Sequence, residues 1–339
     1  MPEISVLMSV YNGEEFINES INSILNQTYK DFEFIIVNDG STDRTQEIIE
    51  SYDDNRIRLF NFEKNQGVGS ALNFGLSKVR GKYVAKADSD DIFISTRLEE
   101  QKKFLDENDD IAVVGGLIEY FPHNKEVEES SRYKSFKSLI EVNKNKIINP
   151  KDIREKIYWY CCMNHTIMMI RTNVINKIGY IDIPMGTDYN LFYQLNKLGY
   201  KMAKINKVLA KMRISKTSIT AKNKDYYYKQ SLFSIKQEEI NNLFKENNQV
   251  YIWGAGSMGK NLFYVLTANN LNIKGFIDNN KEKAKKRIER KEIYGPEIIN
   301  RKGIKNIKII IASQPGKFEI VKYLRGKGYK HLQDFLVYS

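Results

Sequence analysis

The chain opens on apolar runs separated by amphipathic ones. Ile4 to Val10 alternates and is β-branched, Phe32 to Val37 is an apolar run, and Ile57 to Phe62 alternates again. Between them, Phe16 to Leu25 and Thr45 to Tyr52 carry apolar residues at helical spacing. Strand, helix, strand, helix, strand in this order predicts a parallel sheet covered by helices on both faces. Ligands of such sheets bind at the carboxyl ends of the strands. Polar and acidic residues collect there: the first strand stops at Tyr11-Asn12-Gly13, the second at Asn38-Asp39-Gly40-Ser41, and a further one, Tyr83 to Ala87, at Asp88-Ser89-Asp90-Asp91.

Farther along, the pattern predicts a helix over Arg97 to Leu105, a strand over Ile111 to Gly116, and a polar, weakly periodic stretch from Pro122 to Pro150 that reads as a mobile loop. Order returns at His165 to Ile170, followed by a helix over Thr172 to Ile178, an acidic turn at Asp188 and an amphipathic helix to Leu198. Residues 225–248 read as a charged helical linker. A second unit then begins with the strand Val250 to Trp253, the run Gly254-Ala255-Gly256-Ser257-Met258-Gly259, a helix, and a strand ending at Asp278. Glycines at this spacing, after a strand and before a helix, with an acidic residue about twenty positions on, describe a nucleotide-binding βαβ unit. Gly254, Gly256 and Gly259 are therefore candidate contacts to a phosphate at the helix N-terminus, and Asp278 to a ribose hydroxyl. A purely structural role for the same turn is the alternative. The expected organisation is α/β throughout, with boundaries at 1–224, 225–248 and 249–339.

Composition adds three constraints. With 339 residues the chain exceeds a single domain of roughly 100 to 200. Its longest apolar runs, such as Ile309 to Ala312, fall far short of the roughly 20 residues of a membrane-spanning helix, and its start lacks a basic segment leading into an apolar one, so a cytoplasmic protein is expected. The 2 cysteines, Cys161 and Cys162, are adjacent and build neither a disulfide framework nor a zinc site. Charge is uneven: residues 250–339 hold 18 lysines and arginines against 7 aspartates and glutamates, which is the whole of the net charge of +11. Such a surface suits anionic lipid or phosphorylated ligands, although solvated lysine-rich faces are commoner. Nucleic acid is not expected.

The cluster Asp88, Asp90 and Asp91 puts like charges on one loop at the rim of the sheet. A hard divalent cation relieves that repulsion and keeps positions open for phosphate oxygens, as magnesium or manganese does at diphosphates. The plainer reading is a solvated acidic turn before a helix.

Two companion motifs favour the cation. Ser5-Val6-Leu7-Met8-Ser9-Val10-Tyr11-Asn12-Gly13-Glu14, Ile24-Leu25-Asn26-Gln27-Thr28 and Ile35-Ile36-Val37-Asn38-Asp39-Gly40-Ser41-Thr42-Asp43, continued by Ala71-Leu72-Asn73-Phe74-Gly75-Leu76 and Asp88-Ser89-Asp90, resemble glycosyltransferase family 2 over residues 3–220. The resemblance implies the GT-A fold, a nucleotide-sugar donor and Mn2+ or Mg2+. It implies that Asp39 binds the nucleobase with Tyr11 alongside, that Asp88 contacts ribose or metal, and that Asp90 ligates the metal. Thr187-Asp188-Tyr189-Asn190-Leu191 resembles the family's catalytic motif, with Thr187 in place of Glu and Asn190 in place of a frequent Asp, making Asp188 the general base. Arg213 with Ser218 resembles a pair that closes over the donor diphosphate, although Ser215 stands where histidine is frequent and Leu72 where many members have arginine.

The implied reaction is a single displacement that inverts the anomeric carbon and moves a sugar from a nucleotide diphosphate, UDP being the expected one, to a surface-glycan or lipid-linked acceptor. Two other readings remain at this stage: an NAD(P)-dependent oxidoreductase acting through the C-terminal unit, and a nonenzymatic sugar-binding protein. A contact with anionic membrane through the basic C-terminal unit, at the inner face of the cell membrane, completes the expectation.

Overall fold

The computed structural model describes residues 1–183, 185–216, 225–245, 248–283, 286–302 and 307–338. The chain divides into two compact units, Met1–Asn223 and Lys224–Ser339.

In the first unit, strands β1 (Ile4–Val10), β2 (Phe32–Asn38), β3 (Ile57–Asn61), β4 (Tyr83–Asp88), β5 (Ile92–Phe93), β6 (Ile111–Pro122), β7 (Met169–Arg171) and β8 (Lys201–Ile214) form one sheet in the order β3-β2-β1-β4-β7-β6-β8-β5. The strands from β3 to β4 are mutually parallel, β7 runs antiparallel to both its neighbours, and β8 lies parallel to β6. Every residue of β2 is buried, which is why that strand is apolar on both faces except at Glu33, paired with Ser5 and Arg58, and Asn38. Ile17, Ile21 and Ile24 of the helix Ile17–Leu25 bury their stripe in the same core as Val6, Met8, Phe34 and Ile36. Each side chain so covered contributes about 1.5–3 kcal/mol. From the central β1 the chain crosses to one side for β2 and to the other for β4, so a crevice opens at the carboxyl ends of β1, β2 and β4.

The stretch read from the sequence as a mobile loop is largely helical, with helices at Lys125–Glu129, Ser131–Ser135 and Glu141–Asn145 and a π-turn at Phe136–Ile140. Tyr133, Phe136 and Ile140, three and four positions apart, pack on the main core, and Phe136 meets Tyr120 edge-on at 5.2 Å. The last helix is tied to β6 by its side chains: Asn145 bonds both the N–H and the carbonyl of Ile118 at 3.1 and 2.8 Å, and Glu141 accepts from Tyr120 N–H at 2.6 Å.

In the second unit, β9 (Gln249–Trp253), β10 (Gly275–Ile277), β11 (Arg287–Ile288), β12 (Lys291–Tyr294), β13 (Ile307–Ile311) and β14 (Phe335–Val337) assemble in the order β11-β12-β10-β9-β13-β14, parallel except for β11. The helix Asp225–Leu243, expected as a linker, belongs to this unit. Leu232, Phe233, Ile235, Ile240 and Leu243 are buried, and Lys236 Nζ donates to Val337 O at 2.7 Å. A helix with that many apolar residues needs a surface to cover, which a free linker does not offer. Among the described residues, no helix is long and apolar enough to cross a membrane.

Candidate active site

The loops after β1 and β2 are laced together. Asn12, with φ of 51°, accepts on Oδ1 from Thr42 N–H at 2.8 Å, and its own N–H donates to Ser41 Oγ at 2.9 Å. Gly13 N–H donates to Thr45 Oγ1 at 2.8 Å, Glu14 N–H to Asp43 Oδ2 at 3.1 Å, and Arg44 N–H to Glu14 Oε2 at 3.0 Å. The polar residues of both motifs thus satisfy each other's backbone, and the exposed ring of Tyr11 stands at the crevice. Asp39 is buried and accepts from Gln66 N–H at 2.7 Å and Gly67 N–H at 3.0 Å. Burial, only partly offset by those two amides, holds its carboxyl above the ordinary value.

The acidic loop follows β4. Lys86, inside that strand and buried, donates from Nζ to Asp88 Oδ1 at 2.5 Å and to Ala87 O at 2.6 Å. Beneath it lies Arg97, also fully buried, whose Nη2 donates to Lys86 O at 2.5 Å and whose guanidinium stacks 4.6 Å from the Phe93 ring centre. Burial raises the Asp88 carboxyl, but Lys86 and then His165 outweigh it and hold the group below its ordinary value. Asp90 is pushed up to about 6 by burial and then by the charge of Asp88. Asp91 rises further, through burial and then through Asp90, and accepts from Arg213 N–H at 2.9 Å.

Across the crevice Asp188 occupies the first turn of the helix Thr187–Lys197, where the positive end of the helix dipole favours a carboxylate. The Cys161 thiol lies 4.0 Å from Asp188 Oδ2. His165 Nε2 bonds the Tyr180 hydroxyl at 2.9 Å, and burial followed by the charge of Lys86 pushes this imidazole down to about 4, so it is neutral near pH 7. This is a structural histidine in a polar pair. Lys86, Arg97, Lys144 and Tyr180 were not singled out from the sequence. For Lys86 a signal existed, since a lysine within the apolar run Tyr83 to Ala87 must find a partner.

Arg213 departs from its expected place on the donor diphosphate. Its guanidinium pairs with Glu19, donates from Nε to Asp90 O at 3.0 Å, and is sandwiched 4.5 Å from the ring centres of both Phe16 and Phe121. Opposite charge and two aromatic faces hold it inside the protein, where it braces the acidic loop. Ser218, its expected companion, lies outside the described residues.

Residues 5–179 match the model of a family described as glycosyl transferase family 2. A glycosyltransferase of Haemophilus influenzae is 32% identical over 74% of this chain and 74% of its own length, and one of Methanocaldococcus jannaschii is 32% identical over 78% and 90%. The chain belongs to glycosyl transferase family 2. The fold of its first unit is GT-A: Staphylococcus aureus TarS 1–349, solved with UDP-GlcNAc, superposes with a TM-score of 0.56 at 22% identity over 71% of this chain and 67% of that one. The mannosyltransferase PcManGT of Pyrobaculum calidifontis, solved with GDP-Man and Mn2+, superposes with a TM-score of 0.53 at 17% identity over 71% and 64%.

The residues of this family 2 enzyme fit a divalent cation. Asp90 is raised by burial and then by the charge of Asp88, which Arg213 and Lys86 offset only in part. Two carboxylates suffice for an ion that completes its shell with water and phosphate oxygens. No group of three or more metal-ligating side chains is assembled among the described residues.

The transferase's second unit matches a family described as C2185-like, N-terminal, over residues 246–332. Gly254 has φ of +124°, and a Cβ on Gly259 would collide with the Gly254 carbonyl, so both glycines are required by the packing of the helix Ser257–Ala268 on its loop. Asp278, expected at a ribose, accepts instead from Ala255 N–H at 2.8 Å and Asn280 N–H at 2.9 Å, and Lys283 Nζ lies 3.1 Å from it. Its carboxylate ties the end of β10 to the glycine loop through Ala255.

Proposed function

We propose that the first unit is an inverting, metal-dependent glycosyltransferase that moves a sugar from a UDP-linked donor to a hydroxyl of a surface-glycan or glycolipid acceptor. The observation that carries this reading is the convergence at one sheet edge of an acidic loop braced from below by Lys86, Arg97 and Arg213 with a carboxylate, Asp188, on a separate helix. Tyr11 and Asp39 line the base end of the crevice. Asp88 and Asp90 would hold Mn2+ or Mg2+, which as a Lewis acid draws charge from a departing diphosphate. Asp188 takes the proton of the acceptor hydroxyl as its oxygen attacks the anomeric carbon, and the nucleotide leaves from the opposite face. The absence of any assigned second nucleophile favours one displacement over two.

The basic second unit supports peripheral contact with an anionic membrane at the cytoplasmic face, where lipid-linked acceptors are held. Its glycine loop retains the form of a nucleotide site at Gly254, Gly256 and Gly259, and this part of the reading rests on that form alone.

Titration calorimetry with UDP and Mn2+, followed by transfer rates at saturating donor, tests the roles of the two acidic sites. Asp90→Asn loses metal and nucleotide binding together, since a charged ligand is exchanged for a neutral one. Asp188→Asn keeps the affinity for UDP and loses about 10²–10⁴ in transfer, the usual share of a positioned base. Wild-type transfer by Asp188→Asn would remove this residue from the chemistry.

A further inference from the structure

The helix Glu141–Asn145 delivers a lysine to the acceptor side of the crevice. Lys144 Nζ donates to Asn164 Oδ1 at 2.9 Å; burial opposes its ammonium, but neighbouring groups, Tyr120, Cys161 and Asp188 among them, outweigh burial and hold it above its ordinary value. Its backbone is pinned on both sides, by Glu141 and Asn145 to β6, and its own carbonyl accepts from Lys204 Nζ at 2.7 Å. Lys204 is 3% exposed and makes its other hydrogen bond to Cys162 O at 2.6 Å. Among the described residues, neither lysine has a carboxylate within ion-pair distance: Lys144 bonds the Asn164 amide and Lys204 two carbonyls, while the longer-range charge of Asp188 favours the Lys144 ammonium.

Asn164 supplies a second observation. It is 3% exposed, and its Nδ2 has no hydrogen-bond partner. The amide cannot be turned round to cure this, because its NH2 would then face the ammonium of Lys144. A buried donor left unmade is unfavourable, and an oxygen that reached Asn164 together with Lys144 would satisfy it. Lys144 lies on the helix Glu141–Asn145, Asn164 caps the turn His165–Ile167, and the charge of Asp188 acts on the Lys144 ammonium.

We propose that Lys144 and Asn164 form an acceptor subsite for an anionic group, a phosphate or carboxylate borne on the acceptor near its reacting hydroxyl. The proposal rests on the reading of this crevice as a transferase site with Asp188 as base. Lys144 is then an acceptor-binding residue that sets substrate class, with Asn164 as the second donor. A neutral glycan could satisfy the amide through a hydroxyl oxygen but brings no charge to the ammonium.

The test uses the full chain saturated with UDP and Mn2+, titrated with glucose 6-phosphate, glucuronic acid and glucose. The expected result is binding of at least one charged sugar about ten-fold tighter than glucose, as a charge-assisted hydrogen bond gives. Lys144→Met abolishes the preference, Lys144→Arg retains it, and the affinity for UDP stays unchanged in both. Whichever of the two charged sugars binds more tightly identifies the group. Equal binding or no binding of charged and neutral sugars by the wild type, or a preference that survives Lys144→Met, overturns the proposal. Failure of UDP with Mn2+ to bind any of the three proteins overturns the donor reading instead.

Discussion

Replacing Arg213 by methionine separates a brace from a phosphate ligand. The structure gives this guanidinium two ring contacts, with Phe16 and Phe121, and a charged hydrogen bond to the Asp90 carbonyl. Cation–π contacts contribute about 0.5–2 kcal/mol each and a charge-assisted hydrogen bond about 1.5–3 kcal/mol. The ion pair adds little, because Glu19 is 58% exposed and regains water when the partner is lost. Methionine recovers part of the packing between the rings, leaving a net loss of about 3 kcal/mol. For a unit of this size, 1 kcal/mol shifts the melting temperature by about 2–4 °C, so a fall of roughly 6–12 °C is expected without any ligand present. The chain has 2 tryptophans, Trp159 in the first unit and Trp253 in the second, both 2% exposed. In a Trp253→Phe background, fluorescence melting therefore reports the first unit alone. An unchanged ligand-free melting temperature, accompanied by a loss of about ten-fold or more in UDP affinity, would refute the brace and return Arg213 to the diphosphate.

A further expectation concerns Lys236. Burial and then the charge of Lys317 push its ammonium down to about 7 from 10.5, so between these values the unfolded chain binds a proton that the folded chain does not. The second unit therefore loses stability as pH falls from 10.5 toward 7 and carries the full penalty below 7. Lys236→Met removes this slope and, after loss of the bond to Val337 O, gains about 1–3 kcal/mol at pH 7. Denaturant melts of Trp253 fluorescence at pH 7 and pH 9, in a Trp159→Phe background, check it: Lys317, which burial pushes down to about 8, leaves a smaller slope in Lys236→Met, and a slope as steep as that of the wild type assigns the pH dependence to another group.

Local pattern was enough for the alternation and continuity that define β1 to β4, the helical stripe of Ile17, Ile21 and Ile24, and the placement of Asp39, Asp88 and Asp90 at strand ends. These follow from periods of two and 3.6 residues and from polar residues that cannot continue a buried strand. The helix Asp225–Leu243 showed its type but not its allegiance, because a charged helix and a packed one differ only in whether its apolar residues find a surface. The helices between Lys125 and Asn145 were legible in the spacing of Tyr133, Phe136 and Ile140, yet they are broken by a π-turn and diluted by lysines, which weakened the period.

What only the tertiary structure decided is which polar groups meet. Arg213 and Glu19 are 194 positions apart and Arg213 and Asp91 122 apart, and no local rule couples them. Sequence therefore determined that Arg213 and Asp278 are polar groups near ligand-type loops. The fold determined their partners within the chain: Asp90 O and Glu19 for Arg213, and the N–H groups of Ala255 and Asn280 for Asp278. In the same way, Lys144 and Asn164 lie in separate stretches of unremarkable sequence. They become a candidate site only because the helix Glu141–Asn145 and the turn that begins at Asn164 bring an ammonium and an amide together.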